Sequence, residues 1–499
     1  MLEPLSPAQC SSDTSRITID EAIPRRPPSD SDPTTWSPCR KWLYTLLVGL
    51  TMFNGSFAST APNGAGEHIV RHFALTDEEF VLVSTSFVGG CVAGPIVWAP
   101  LSEVYGRRVI NLASMMLYAL INIGCALAPN KAVLFVCRLL AGTFASSAFS
   151  NAAAVVTDLF APKDRSNPMI IASLAPLLGP SVGPLFGAAV TSRLPWPFVF
   201  WLFGALGLVL EVALLCLPET YLPVIMNRGN AQSSEKANRS FMRKVLSFCI
   251  VVLGRPINMM LREPIIMCAT FYLSFFFALM YIFFASWPLI FGPPGIYGLD
   301  AVHSEQALSV NLVVRVANLI PTTEPAGFTF LPLALGGVLA ALVMPFCDRF
   351  YLQRFRSARS HAPEARLLST FLVSPLVAAG LLWAGWLGRT SIPYTITMLA
   401  GLPIGAAMTL VFQGWVGYLG DCYRLYSSSA IAATVIGRSV SGATIPLATH
   451  QMHEKLGGVC YLYTMLAGLA LLTTPAPFLI FHYGERLRSR SMYRTPGCS

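Results

Sequence analysis

Twelve stretches of about 20 mostly apolar residues recur along this 499-residue chain, and no other feature restricts its fold as strongly. They run over Trp42–Pro62, Phe80–Leu101, Val109–Ala128, Ala132–Ala154, Met169–Val190, Pro197–Leu217, Pro264–Phe291, Gly327–Cys347, Ser369–Leu387, Pro393–Leu419, Tyr426–His450 and Gly457–Phe481. Each is long enough to cross a hydrocarbon layer as a helix, which bonds its own backbone N–H and C=O groups where no water can. The chain is 54% hydrophobic and only 12% charged, with a mean hydropathy of +0.58. That composition excludes a water-soluble globule, a disordered chain and a collagen. The expected fold is an all-α membrane protein of twelve transmembrane helices.

The polar stretches divide it. Residues 1–41, rich in Ser, Pro and Asp, read as a disordered cytosolic tail. Residues 42–217 make a first six-helix bundle, 218–263 a cytosolic central loop, 264–481 a second six-helix bundle, and 482–499 a cytosolic C-terminal tail. Short links between spans three and six suggest that these pack as antiparallel neighbours. With the N-terminus inside, 26 Lys and Arg fall on the cytosolic side and six on the outer side, and Arg138 and Arg438 lie within spans. That asymmetry is what an even number of spans with both termini cytosolic requires. The net charge of +9 does not indicate a nucleic-acid partner, because the basic residues form no stripe. The 12 cysteines show no CxxC pair and no metal-ligand spacing, so they read as free thiols and no metal site is expected.

The halves echo each other. Pro100-Leu-Ser-Glu103 follows the second span and Pro345-Phe-Cys-Asp348 the eighth. Asp158 and Asp421 follow the fourth and tenth, with Pro184 and Pro446 at matching distances beyond. Parallel repeats related by an axis along the membrane normal account for this pattern.

Several residues stand out chemically. Arg138 lies about two turns into span four and Arg438 about three turns into span eleven, where a charge is costly and lines the bundle interior or a wet cavity. Arginines paired with carbonyls for packing are the alternative. Glu211 is the one carboxylate well inside a span, and either carries a proton or snorkels to the cytosol; Glu67 could line the outer end of the first span. Gly179, Pro180, Gly183, Pro184 and Gly187 give span five a flat face for close approach of a neighbour. Gly106 allows a tight turn between spans two and three. Asn54, Trp287, Gln413, Trp415 and Tyr418 are polar or aromatic candidates for a cavity lining, against a reading as ordinary packing. There is no Walker loop, nucleotide fingerprint, zincin motif or nucleophile elbow, so neither an ATP-driven pump nor an enzyme is expected.

The motifs resemble those of the major facilitator superfamily, in particular its fungal twelve-span drug:proton antiporters, the group of polyamine and multidrug exporters. They are Trp36-Ser37, Arg40-Lys41-Trp42, Gly94-Pro-Ile-Val-Trp-Ala-Pro-Leu-Ser-Glu-Val-Tyr-Gly-Arg-Arg108, Arg138-Leu-Leu-Ala-Gly142, Leu174-Ala-Pro-Leu-Leu-Gly-Pro-Ser-Val-Gly-Pro184, Leu217-Pro-Glu-Thr-Tyr221, Pro363-Glu-Ala-Arg366 and Phe412-Gln413. The resemblance implies a major facilitator fold and proton-coupled efflux of small apolar or cationic compounds by alternating access. A polyamine exporter is the runner-up, and a transport-inactive carrier or sensor the third reading. It further implies a functional monomer in the plasma or vacuolar membrane, with a small-molecule substrate and a proton gradient in place of any cofactor. Arg138 matches the span-four arginine tied to proton coupling, and the glycine–proline face of span five matches the antiporter motif. Glu103, with Gly106, Arg107 and Arg108, matches the signature loop that closes the cytosolic side. There Glu103 is expected to face the N-terminus of span eleven at Ser427–Ser429, with Arg107 and Arg108 holding the same carboxylate or lipid phosphates. Val104 departs from a place that is often basic. Trp196-Pro197-Phe198, Pro62-Asn-Gly-Ala-Gly66 and the stretch 302–323 also depart from the family's pattern, the last reading as a genuine outer loop or as a translated intron or faulty gene model.

Overall fold

The computed structural model describes residues 32–161, 164–230, 254–291, 296–297, 329–355, 363–423, 426–489 and 491. The stretch 302–323 and the tail 1–31 lie outside them. The described residues are almost entirely helical and contain no strand. In chain order the helices are α1 (Pro38–Gly64), α2 (Gly66–Phe73), α3 (Asp77–Tyr105), α4 (Arg107–Ala126), α5 (Lys131–Leu159), α6 (Ser166–Thr191), α7 (Pro197–Leu215), α8 (Leu222–Asn230), α9 (Arg255–Arg262), α10 (Pro264–Phe291), α11 (Leu331–Phe355), α12 (Arg366–Leu387), α13 (Tyr394–Met398), α14 (Gly401–Cys422), α15 (Ser427–Thr444), α16 (Thr449–Leu456), α17 (Val459–Thr473) and α18 (Pro475–Ser489). Spans one to six are α1 and α3–α7. Spans seven to twelve are α10, α11, α12, α13 with α14, α15, and α17 with α18. Ten contain an apolar stretch long enough to cross a membrane; α1 is broken by polar residues, and the apolar part of α11 is the shorter Leu331–Pro345.

Boundaries differ from expectation at the polar ends. Helices continue past the apolar runs because a helix needs capping rather than apolarity to extend. Thr76 and Glu79 form a capping box that starts α3 before Phe80, and the Asn130 side chain caps α5 at the Val133 amide. The last helix runs to Ser489, into the region read as tail, and the region 218–263 holds α8 and α9 rather than loop alone.

Each half has its own apolar core. Leu120, Val136, Val209, Val212, Phe271, Leu342 and Leu472 point outward, as side chains facing lipid do. The two halves repeat one packing scheme. In the first, span one packs on five, two on four, three on four and three on six; in the second, seven on eleven, eight on ten, nine on ten and nine on twelve. Across the halves α3 packs on α15 and α6 on α11, an exchange related by the same two-fold axis. Neighbours in sequence are therefore not always neighbours in space: α6 packs on α1 far more extensively than on α5 or α7.

The span-five glycines explain that choice. A Cβ on Gly179 would meet the Phe57 nitrogen, one on Gly183 the Thr60 hydroxyl, and one on Gly187 the Ala61 carbonyl oxygen. Gly64, in the segment that departs from the resembling family, meets Pro184 in the same way. Pro184 lacks an N–H, which leaves the Pro180 carbonyl without its helical donor; the Thr60 hydroxyl donates to it at 3.3 Å. Backbone contact replaces side-chain interdigitation along the whole α1–α6 seam. Gly187→Ala should overpack this seam, at a cost of about 1–3 kcal/mol, and lower the melting temperature in detergent. Gly468→Ala, where a Cβ meets nothing within 4 Å, should not. Equal melting of both variants and wild type would contradict the seam's role.

Candidate functional site

The two ends of the bundle differ. We call the end where α1 begins and α18 finishes the base. There the second span ends at Glu103, whose carboxylate crosses to the other half. Its Oε1 accepts the Ser429 backbone N–H at 2.9 Å, and its Oε2 accepts the Ser429 hydroxyl at 2.9 Å and Arg255 Nη1 at 2.9 Å. Ser429 lies in the first turn of α15, where unpaired amides and the helix dipole favour a carboxylate. Glu103 is buried, as are Ser427, Ser428 and Ser429.

Arg107 makes no hydrogen bond to Glu103, although its charge acts on that carboxylate. Its Nη1 donates to Ser102 Oγ at 2.7 Å, its Nε pairs with Asp158 at 3.3 Å, and its guanidinium lies over the Tyr221 ring. Arg108 turns to the Leu215 carbonyl at 2.6 Å. The cation on Glu103 is instead Arg255 of α9, from a region whose sequence carries no spacing signal. Ser102 lies 3.3 Å from Ser428, which donates to Asn151 at 2.8 Å, so the network runs from Asp158 through Arg107 into the second half.

A second cross-link lies beside the first. Asp421, at the end of α14, accepts from Arg165 Nη1 of the first half at 2.5 Å and from Arg366 Nε at 2.7 Å. Arg366 also reaches Ser166 at 3.2 Å, and Gln413 donates to the Ser166 carbonyl at 3.3 Å. The repeat is visible at atomic level: Asp158 pairs with Arg107, which opens span three, and Asp421 with Arg366, which opens span nine. Asp348, the counterpart of Glu103, has a side chain outside the described set.

Glu219, of the Pro-Glu-Thr-Tyr segment, has a role that sequence reasoning did not give it. It accepts the backbone N–H groups of Arg107 at 2.9 Å and Arg108 at 3.1 Å, capping α4 from the far side of the bundle's chain order. Gly106 sits at φ +102°, and a Cβ there would collide with the Glu219 carboxylate. The glycine is required twice, for its backbone and for the cap. Burial and the neighbouring acidic groups push the Tyr221 phenol up, so it stays neutral against Arg107.

Above the base a small, partly open cavity lies between the halves. Its described lining draws on both, including Ser59, Phe87, Cys91 and Pro180 from the first and Tyr281 and Arg438 from the second. Asn54, Trp287, Gln413, Trp415 and Tyr418 are not in that lining. The Asn54 amide donates to the Phe203 carbonyl, and Trp287 is enclosed by Phe283, Phe291 and Phe330 with its indole N–H on Thr329. Trp415 stacks near Tyr272 and Tyr418 within the second core. Asn54, Trp287, Trp415 and Tyr418 serve packing because their helices turn those faces toward their own half, whereas Gln413 reaches the Ser166 carbonyl of the first half.

The intramembrane charges differ from one another. Arg138 is fully buried, donates to the carbonyls of Val83 at 2.9 Å and Ser59 at 3.1 Å, and lies over the Phe87 ring; its Nη1 has no partner. Arg438 faces the cavity, boxed by Phe149, Phe277 and Phe412. Glu211 is 3% exposed and its Oε2 has no hydrogen-bond partner, so it is enclosed rather than reaching outward. Glu67 sits exposed on α2, paired with Arg71 one turn away, and lines no cavity. Among the described residues there is no cluster of potential metal ligands.

The profile of the Major Facilitator Superfamily matches residues 46–446. The chain is 31% identical over 473 residues to "Major facilitator superfamily multidrug transporter mdrA" of Aspergillus fumigatus, covering 93% of this chain and 74% of that protein. It is 30% identical to "Efflux pump FUB11" of Gibberella moniliformis, covering 91% and 74% of the two. It is 31% identical to "Polyamine transporter 3" of Saccharomyces cerevisiae, covering 92% and 71%. The solved structure of the proton:xylose symporter XylE superposes with a TM-score of 0.62 at 15% identity, covering 90% of this chain and 96% of that one.

Glu103 makes three bonds, each worth about 1.5–3 kcal/mol when a charged group takes part. Glu103→Ala should therefore loosen the first turn of α15 and raise hydrogen exchange of the Ser429 and Ala430 amides at least about tenfold. Unchanged protection would contradict the cross-half role of this carboxylate.

Proposed function

The chain belongs to the major facilitator superfamily, and from that premise we propose that this secondary transporter is a proton-driven exporter of small, largely apolar compounds. The observation that carries the proposal is a cavity shared by both halves above a polar latch at the base. Alternating access needs such a pair, since the halves can rock about the cavity only if the contacts closing one end can break. The bonds of the latch are individually modest and end on hydroxyls, a helix amide and arginines, of which Arg255 and Arg366 keep some exposure, so they can be exchanged for water. An intact latch favours a working carrier over a decayed copy.

The base is the cytosolic side in this reading, because 26 of the 34 Lys and Arg lie there by sequence. Both termini are then cytosolic. The protein works as a monomer in the plasma membrane, with the vacuolar membrane as the second location. The cavity lining carries an arginine and, among its described residues, no carboxylate. That disfavours cations, and polyamines most of all, since a multivalent amine needs several carboxylates to replace its water. The proton gradient supplies the energy and no cofactor takes part. Glu211, enclosed and with one oxygen unpartnered, is the candidate proton carrier.

Proteoliposomes of the purified chain should accumulate a neutral aromatic drug under an imposed pH gradient without ATP, and a protonophore should abolish the accumulation. Accumulation that needs ATP and survives the protonophore would overturn the proposal.

Arg138 is the coupling residue in this reading. A packing role needs no cation, whereas coupling requires the charge to compete with a proton for a partner. A guanidinium at this depth costs about 2.5–3.5 kcal/mol on insertion scales; the Val83 and Ser59 carbonyls offset that cost, and Nη1 is left without a partner. Arg138→Lys should keep part of the gradient-driven transport and Arg138→Met should lose it, both folding normally by detergent melting. Wild-type transport by the Met variant would make the residue structural.

A further inference from the structure

The two buried arginines spend their donors differently. Arg138 places Nε and Nη2 on backbone carbonyls. Arg438, only 5% exposed, donates no hydrogen bond to any described residue; it is held by the faces of Phe149, Phe277 and Phe412 at 5.5–6.0 Å. Ring faces steady a cation without using its N–H groups. The titratable groups facing it are the Cys91 thiol of α3 and the Tyr281 phenol of α10, both neutral acids rather than carboxylates. Its fork of donors is therefore unspent, and it is the one charged side chain in the described cavity lining.

We infer that Arg438 receives the carboxylate of an amphipathic aromatic acid in the cavity between the halves. This rests on the reading of that cavity as the transport site and names the substrate class it takes. A planar guanidinium meets a carboxylate through two parallel N–H···O bonds, and the union removes a buried charge that is otherwise uncompensated. The hydroxyls of Ser439 and Tyr281, which also line the cavity, supply further donors to the same oxygens. Phe87, Phe149 and Phe277 offer apolar faces to an aromatic body. The charge count limits the ligand: one cation balances a monoanion, while a dianion such as a phosphate monoester would carry one charge too many into an apolar site. An amine would place a second cation beside the first.

Three probes sharing one ring system isolate the charge: 1-naphthoate, 1-naphthamide and 1-naphthylmethylamine. Equilibrium dialysis of the purified full chain should show 1-naphthoate binding at least about tenfold tighter than the amide, the equivalent of one charge-assisted hydrogen bond. In Arg438→Gln that preference should fall to about one, and Arg438→Lys should keep part of it because the charge stays while the fork is lost. A wild-type protein that prefers the amide or the amine overturns the inference, as does a Gln variant that keeps the preference. If the Gln variant does not fold, the wild-type ratio and the Lys variant decide. Gradient-driven uptake into proteoliposomes separates the two readings. Selective binding of 1-naphthoate with no uptake of any probe would end the exporter reading while the site stands. Uptake of the amide or amine without a carboxylate preference would leave the exporter and remove the site.

Discussion

At the base the carboxylate of Glu103 ties one half to the other. Glu103 leaves one bundle and ends on the first turn of α15 in the other, taking a backbone amide, a hydroxyl and a guanidinium at 2.9 Å each. In hydrocarbon the exposed amides of a helix start are expensive, and a carboxylate is the best partner for them. The other parts of the base are arranged to let Glu103 make this contact. Gly106 turns the chain directly after it, Glu219 caps the helix that follows, and Asp158 draws Arg107 aside so that Arg255 can take the outer oxygen. The Arg165–Asp421–Arg366 group adds a second link, with the carboxylate on the second half and Arg165 on the first.

Such a latch is useful only if the rest of each half moves as one piece. The α1–α6 seam supplies that rigidity in the first half. Its glycines bring backbones into contact over several turns, and serine and threonine hydroxyls satisfy carbonyls across the seam. Two bundles, each built round its own core with only a few residues shared between them, bonded by exchangeable polar contacts at one end and enclosing a cavity above them, can rock without unfolding. The matching helix pairs in the two halves mean that the motion has a symmetric counterpart at the other end.

Much of this was legible in the chain. Apolar length gives the helices, and the Asp158–Asp421 echo marks two positions that the structure shows to bind equivalent arginines. Glu103 was recognisable because its motif is contiguous. Long-range partners were not: Arg255 and Glu219 act across 152 and 112 residues, and no periodicity encodes such a meeting. Cavity residues failed for a related reason. Trp287, Trp415 and Asn54 sit on spans that are apolar nearly all round, so the sequence does not tell which face meets the other half. Only packing decides, and it turned them into their own bundles while bringing Ser59, Cys91 and Tyr281 to the cavity. The span-five face lay between these cases: its small residues predicted close approach but not that α1 would be the partner.

The central claim is that Glu103 holds the base closed. Spin labels at Val109 in the first half and Arg486 in the second, both exposed at the base, report that closure directly by pulsed electron paramagnetic resonance. In wild type the distance distribution should be dominated by one short population. Glu103→Gln, which keeps the shape and removes the charge, should shift weight to a longer population. An unchanged distribution in the Gln variant would contradict the claim and leave the base contact as static packing.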